Sequence, residues 1–276
     1  MIPTFKNIHL KFKLDGNYFS REALKEVAYS YVKEGTPNEQ IIGDFLLDWL
    51  DEKDYVVVNT SGSTGMPKSI RLDKQAMVDS ALATGDFFGL EPGNTALHCL
   101  PSNFIAGKMM LIRAMILGLS LDVVAPTSNP LQRLKKNYDF CAMVPLQVEH
   151  SFASLHHIKT LIVGGAPASA ALVERLQDVS TKVFATYGMT ETITHIAAKP
   201  LNHLSKNKKA SYQTLPNIQI TTDNRNCLVI AAPSITKEKI STNDVVEIIS
   251  QTEFNWLGRY DNVINSGGIK LHPEQI

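Results

Sequence analysis

A chain of 276 residues that is 44% hydrophobic carries enough apolar material for one large core or two ordinary ones, which excludes global disorder. Lysine plus arginine (27) balances aspartate plus glutamate (27), so nothing in the charge supports a nucleic-acid partner or an anionic membrane surface. Cys99, Cys141 and Cys227 lie far apart and form neither a zinc spacing nor a disulfide framework. The N-terminal residues lack a signal core, and no apolar run reaches the roughly 18 residues of a membrane span; the expectation is a cytoplasmic protein with no membrane partner.

In chain order, Ser20 reads as an N-cap, followed by Ala23, Leu24, Val27, Ala28 and Tyr31 on one helical face, with Gly35-Thr36-Pro37 as the stop. A second helix is predicted from about Asn38 to Leu50. Tyr55–Val58 reads as a buried strand feeding a polar loop, and Ser69–Leu72 as another strand. Strand signals at Ala96–Leu100, Leu121–Val124, Phe140–Val144, Leu161–Val163 and Val183–Ala185 then alternate with helical ones at Ile105–Leu117, Leu146–Phe152 and Ala168–Leu176. That rhythm predicts an α/β fold with a mostly parallel sheet flanked by helices. Short alternating pieces from about Pro216 (Ile218–Thr221, Leu228–Ala231, Val245–Ile249) predict a smaller β-rich subdomain. The expected divisions are a helical region over 1–54, an α/β unit over 55–215, the β-rich unit over 216–258 and a hinge over 259–276. The lysines 206, 208 and 209 mark an exposed loop.

Between the two strands lie Thr60-Ser61-Gly62-Ser63-Thr64-Gly65-Met66-Pro67-Lys68. Glycines allow close main-chain approach, and successive N–H groups with Ser and Thr hydroxyls make a concave anion site that Lys68 can complete with its charge. Pro67 rules out a Walker A loop, and the strand that follows removes the helix N-terminus such a loop uses. Read alone, the segment is equally a polar turn between strands. The complete string resembles the phosphate loop of the adenylate-forming superfamily, which holds acyl-CoA synthetases, peptide-synthetase adenylation domains and luciferases.

Three further segments carry the same resemblance, in the same order. Gly164-Gly165-Ala166-Pro167 follows a strand, where the family sets such a turn against adenine. Ala185-Thr186-Tyr187-Gly188-Met189-Thr190-Glu191-Thr192 resembles the family's Tyr-Gly-x-Thr-Glu motif. In it Tyr187 offers an aromatic face to adenine, Thr190 a hydroxyl to the α-phosphate, and Glu191 a hard oxygen to Mg²⁺. Gly188 and Met189 complete the nucleotide-binding turn. Asp244 stands where the family's Thr-Gly-Asp aspartate holds ribose, with Asn243 in place of the glycine and tolerant of a left-handed turn. Gly258-Arg259-Tyr260-Asp261 resembles the hinge motif, implying Arg259 on ribose or phosphate and Asp261 at the pivot.

The resemblance implies ATP-dependent activation of a small carboxylic acid to an acyl-adenylate, with ATP, Mg²⁺ and coenzyme A taking part and Lys68, Thr190 and Glu191 catalytic. It also implies a longer protein. Family members have a longer front and a C-terminal domain whose lysine completes adenylation, so these 276 residues are expected to adenylate weakly or not at all. Within the superfamily, the short front, Met-Thr-Glu-Thr and the hinge Ser-Gly-Gly resemble the o-succinylbenzoate–CoA ligases of menaquinone synthesis. Other aryl- or acyl-CoA ligases, a carrier-loading adenylation domain and a catalytically silent nucleotide-binding module stay as alternatives. Three residues are candidates for the acid pocket. Phe104 either walls it or packs in the core, Lys108 either meets a second substrate carboxylate or snorkels, and His195 either lines it or is a hydrogen-bonded strand histidine.

Overall fold

The computed structural model describes residues 3–59, 69–204, 210–266, 269–271 and 273. The expected phosphate loop, Thr60–Lys68, lies outside the described residues, as do Lys206, Lys208 and Lys209. A small hairpin of β1 (Lys13–Leu14) and β2 (Asn17–Tyr18) precedes two helices, α1 (Arg21–Glu34) and α2 (Pro37–Leu50). The Ser20 side chain accepts from the Ala23 N–H and caps α1, while Thr36 and Glu39 form a capping box on α2 with Pro37 in its first turn. The strands β3 (Tyr55–Asn59) and β4 (Ser69–Asp73) pair antiparallel in a sheet of their own on either side of the loop. Val56 and Val58 are buried but Val57 is exposed, so β3 is half-buried rather than fully buried as expected.

Helix α3 (Lys74–Phe88) starts at Asp73, whose carboxylate accepts from the Ala76 N–H at 2.7 Å, and ends at Gly89 with φ 63°. Then come β5 (Thr95–His98), α4 (Ile105–Leu117), β6 (Ser120–Val123), β7 (Tyr138–Met143), α5 (Pro145–His150), β8 (Ile158–Val163), α6 (Ala170–Leu176) and β9 (Lys182–Gly188). The remaining strands are β10 (His195–Pro200), β11 (Tyr212–Thr214), β12 (Gln219–Thr222), β13 (Cys227–Ala231), β14 (Ile240–Ser250), β15 (Glu253–Arg259), β16 (Ile264–Ser266) and β17 (Ile269–Leu271).

Among the described residues, thirteen strands form one mixed sheet in the order β12-β13-β14-β15-β11-β10-β9-β8-β7-β5-β6-β1-β2. From β1 through β6, β5, β7 and β8 to β9 the neighbours run parallel; from β9 through β10 to β12 they run antiparallel. The β-rich segment therefore continues the main sheet through β11 and β15. The two faces of the parallel part divide by residue parity. Phe140 and Ala142 of β7 join α2, α3 and α4 in one core, while Cys141 and Met143 join Leu172 and Leu176 of α6 in the other. A third core, including Ile220, Leu228, Ile230 and Phe254, lies in the antiparallel part. Cys99, Cys141 and Cys227 are free and buried. Among the described residues no helix is long and apolar enough to cross a membrane.

His98, at the end of β5, is fully buried with Nε2 2.8 Å from Ser102 Oγ, and burial pushes its pKa down to about 4. Its folded pKa lies below the unfolded value near 6.5, so the stability it permits is complete above that pH and is lost as pH falls through about 4. Between pH 7 and pH 5 this residue is expected to cost about 2 kcal/mol. Urea unfolding of His98→Gln should lack that share of the pH dependence; an unchanged dependence would refute the assignment.

Candidate functional site

The carboxyl ends of β8 and β9 are neighbours, and it is at such ends that α/β sheets open toward ligands. Gly164–Pro167 leaves the end of β8 and Tyr187-Gly188 closes β9. A Cβ on Gly164 would lie 2.5 Å from Thr186 Oγ1, and that hydroxyl donates to the Val163 carbonyl at 3.1 Å, so the two segments are fitted directly to each other. After Gly188, Thr190–Thr192 make one short 3-10 turn, tied by the Met189 N–H donating to Thr192 Oγ1 at 3.0 Å. Ile193 then adopts φ 65° and ψ −59°, with the Thr194 N–H donating to the Thr192 carbonyl at 2.7 Å. This is a γ-turn of the rare strained kind, and a β-branched residue is a poor occupant for it. It reverses the chain so tightly that His195, the first residue of β10, stands opposite Gly188.

Tyr187 and Asp244 meet on the antiparallel side. The Tyr187 hydroxyl donates to Asp244 Oδ2 at 2.6 Å, Trp256 Nε1 donates to Oδ1 at 3.1 Å, and Arg259 Nη1 lies 3.6 Å from Oδ1. Burial, then the Asp244 charge and its hydrogen bond, push the Tyr187 phenol well up, so it stays a donor. Its ring packs edge-on against Tyr212 and Phe254, with centroids 5.8 and 5.3 Å away. Asn243 is not a turn residue as expected from the missing glycine. It sits inside β14, where its amide accepts from Arg225 Nη1 at 2.9 Å and donates to Asp261 Oδ2 at 3.1 Å. The strand ladder holds that segment extended. Asp261 is thereby tied to β14 from the exposed turn at Tyr260–Asn262.

The second cluster lies on the other side of β10. Arg113, in the middle of α4, is 1% exposed. Its Nε donates to Thr84 Oγ1 at 3.3 Å, its Nη1 to Met110 Sδ at 3.7 Å, and its Nη2 to Thr194 Oγ1 at 3.3 Å and His195 Nδ1 at 3.4 Å. All four acceptors are neutral. Burial pushes its pKa down to about 9, with no carboxylate among the described residues acting to restore it. An unpaired buried guanidinium is costly, which is why such groups are ordinarily paired. His195 is buried too, its pKa pushed well down by burial and then by Arg113. Its ring stands edge-on to Phe88, which in turn touches Phe140 and Phe184 at 5.7 and 5.2 Å between centroids.

The remaining candidates fall apart from this cluster. Phe104 is half exposed as the N-cap residue of α4, so it does not pack in the core. Lys108 lies over the Phe45 ring at 4.7 Å, with burial lowering its pKa and Asp48 and Asp44 of α2 opposing. The carboxylates of α2 thus act on its charge. Thr190 is half-buried and Glu191 exposed on the 3-10 turn. Among the described residues no three His, Cys, Asp or Glu side chains gather to hold a metal ion.

Residues 13–225 match the AMP-binding enzyme family. The chain belongs to that family. A probable 2-succinylbenzoate–CoA ligase of Mycobacterium tuberculosis is 30% identical over 172 residues, covering 57% of this chain and 44% of that protein. A solved acyl-CoA synthetase (AMP-forming)/AMP-acid ligase II-like protein from Dyadobacter fermentans is 40% identical, with a TM-score of 0.78 over 91% of this chain and 73% of that one. The o-succinylbenzoate coenzyme A synthetase (MenE) of Bacillus subtilis, solved with ATP and a magnesium ion, has the same fold at 21% identity, with a TM-score of 0.66 over 80% of this chain and 53% of that one. The chain spans about half the length of the curated relatives it matches.

Sequence reasoning passed over Arg113, Trp256 and the phenylalanines at and around Phe88 beside His195. Arg113 had a signal: it is the one charged residue between Met109 and Leu117 in an otherwise apolar helix. Trp256 had none, because only strand pairing brings it opposite Val246 and within reach of Asp244.

The joint between β9 and β10 is open to test. A Cβ on Gly188 would run into the Thr194 carbonyl and the His195 Cα, both backbone and unable to yield. Gly188→Ala is expected to cost about 1–3 kcal/mol in thermal unfolding and to alter Trp256 emission in a Trp49→Phe background. Wild-type stability in the variant would contradict this close fit.

Proposed function

We propose that the protein is the adenylate-forming part of an acid–CoA ligase whose acid carries a second carboxylate, with o-succinylbenzoate the substrate that fits best. In the reaction, one carboxylate oxygen attacks the α-phosphorus of ATP, giving an acyl-adenylate and pyrophosphate. The thiol of coenzyme A then attacks the acyl carbon and releases AMP. A carboxylate is a poor electrophile, so the protein's work is positioning and charge neutralisation.

Family membership supports the reaction class, and the motif residues take the corresponding parts. Thr60–Gly65 and Lys68 cradle the phosphates, Gly164–Pro167 and Tyr187–Met189 bound the adenine, Thr190 donates to the α-phosphate, and Asp244 with Arg259 receives the ribose. Glu191 suits Mg²⁺ that arrives on the nucleotide. It is a single exposed carboxylate with no protein cage around it among the described residues, and Mg²⁺ keeps its waters and takes one or two carboxylates. There it would neutralise phosphate charge.

The observation that carries the substrate reading is Arg113. A fully buried cation with four neutral partners and no carboxylate among the described residues is a receptor for an anion brought by the ligand. Phe88, which stands against His195 and touches Phe140 and Phe184, suits an aromatic acid. Named relatives of matching sequence are 2-succinylbenzoate–CoA ligases.

Calorimetric binding of a panel of acids in the presence of AMP tests this without depending on turnover. O-succinylbenzoate should be preferred over benzoates and fatty acids with a single carboxylate. Arg113→Met should weaken the diacid by about 2–4 kcal/mol, roughly 30- to 1,000-fold, while leaving monoacids within a few-fold. Preference for monoacids, or equal loss for both classes, would remove the reading. Asp244→Ala should weaken AMP binding at least about tenfold by calorimetry, since charged hydrogen bonds contribute roughly 1.5–3 kcal/mol; unchanged affinity would take Asp244 out of the nucleotide site.

A further inference from the structure

Arg113 cannot grip a carboxylate by itself. Guanidinium has five N–H donors and no acceptor. Nε–H is given to Thr84, and the two Nη2 protons are given to Thr194 and His195. Nη1 remains, with one proton against the Met110 thioether. The parallel two-bond fork that arginine usually makes with a carboxylate is therefore closed unless these contacts break. One oxygen can be met end-on, and the other needs a second donor.

His195 has one to give. Because arginine only donates, the Nη2 contact at 3.4 Å makes His195 Nδ1 the acceptor and puts the ring proton on Nε2. That Nε2 is buried and has no hydrogen-bond partner among the described residues. An unmet buried donor costs more than a made hydrogen bond returns, so its presence calls for an acceptor that arrives from outside. The ring stands edge-on to Phe88, with 6.3 Å between centroids, and His195 lies at the start of β10 opposite Gly188. Neutral imidazole and guanidinium can stand side by side without repelling, which two cations in that space could not do.

We propose that His195, fixed by Arg113 as the Nε2–H tautomer, is a specificity-determining residue that takes the second oxygen of the substrate's distal carboxylate while Arg113 takes the first. The proposal rests on the diacid reading above and adds a second residue to it. It also assigns Arg113 two functions, binding the anion and setting its neighbour's proton.

Two measurements on the 276-residue protein test it. The first is calorimetric binding of the non-hydrolysable acyl-sulfamate analogue of o-succinylbenzoyl-adenylate, beside the same analogue without the ring carboxylate. His195→Asn keeps an acceptor for Arg113 at the Nδ1 position but loses the outer donor. It should weaken the diacid analogue about 10- to 50-fold and leave the monoacid analogue within about threefold, in line with one buried charge-assisted hydrogen bond. His195→Gln sets an amide nitrogen near the Nε2 position and should recover most of the loss. Equal weakening of both analogues by His195→Asn, or no recovery with Gln, would overturn the proposal and leave His195 a packing residue. The second is the ¹⁵N spectrum of the imidazoles, assigned with the His195 variants. A protonated Nε2 and bare Nδ1 that become mixed in Arg113→Met are expected; a protonated Nδ1 in the wild type would overturn the proposal whatever the acid. If wild-type protein binds both analogues equally, the diacid reading itself has failed and the proposal falls with it. Discrimination that survives His195→Asn removes the histidine alone.

Discussion

Everything that the site can do depends on one reversal of direction, between β9 and β10. The parallel half of the sheet ends at Gly188, and the antiparallel half begins seven residues later at His195. The two strands close on each other because Gly188 offers no Cβ where the Thr194 carbonyl and His195 backbone press in, and because Ile193 accepts a strained γ-turn. That reversal sets Tyr187 on one flank, beside Asp244, and Thr194 with His195 on the other, beside Arg113. The Asp244 cluster and the Arg113 cluster are thus two sides of one turn. Strain at such a place is sustained by the buried packing of Ile193 and Thr192 around it.

The two clusters use electrostatics differently. Around Asp244 the charges are matched: a carboxylate with a phenol, an indole N–H and a nearby guanidinium. Around Arg113 they are not, and the cation is surrounded by hydroxyl, thioether and imidazole. Stability alone would favour an apolar residue at the middle of α4, since replacing a buried charge by packed hydrophobic groups is often neutral or better. On the proposed reading the arginine is a binding group held dry, where its field is least screened.

Much of the parallel half was legible from the residues. Ser20 announces α1 by capping chemistry, whereas Thr36 and Pro37, read as the stop of α1, also cap and open α2; the strand–helix alternation from Ala96 onward follows hydrophobic runs that the sheet buries on both faces. Helix α3 was not legible. Its buried side includes Ser80, Thr84 and Gly85, so the apolar period is broken by small and polar residues, one of which is the Thr84 that serves Arg113. The strands β10, β11 and β15 were missed as well, since their pairing is set by partners distant in sequence. In the site, the motif residues were legible as chemistry at fixed spacing, but only the fold brings Arg113 of α4 against His195, 82 positions away.

The Asp244 network has a consequence for how a ligand would be felt. Both carboxylate oxygens already receive hydrogen bonds from the protein, through Tyr187 and Trp256. A sugar hydroxyl approaching this carboxylate would therefore find lone pairs partly occupied, and its arrival would be an exchange of partners rather than the filling of an empty slot. The net enthalpy of such an exchange is the difference between similar bonds, so affinity there would be insensitive to the strength of any one contact and sensitive to how freely the Tyr187 and Trp256 rings can yield. The aromatic packing of Tyr187 against Tyr212 and Phe254 then becomes a means of adjusting affinity.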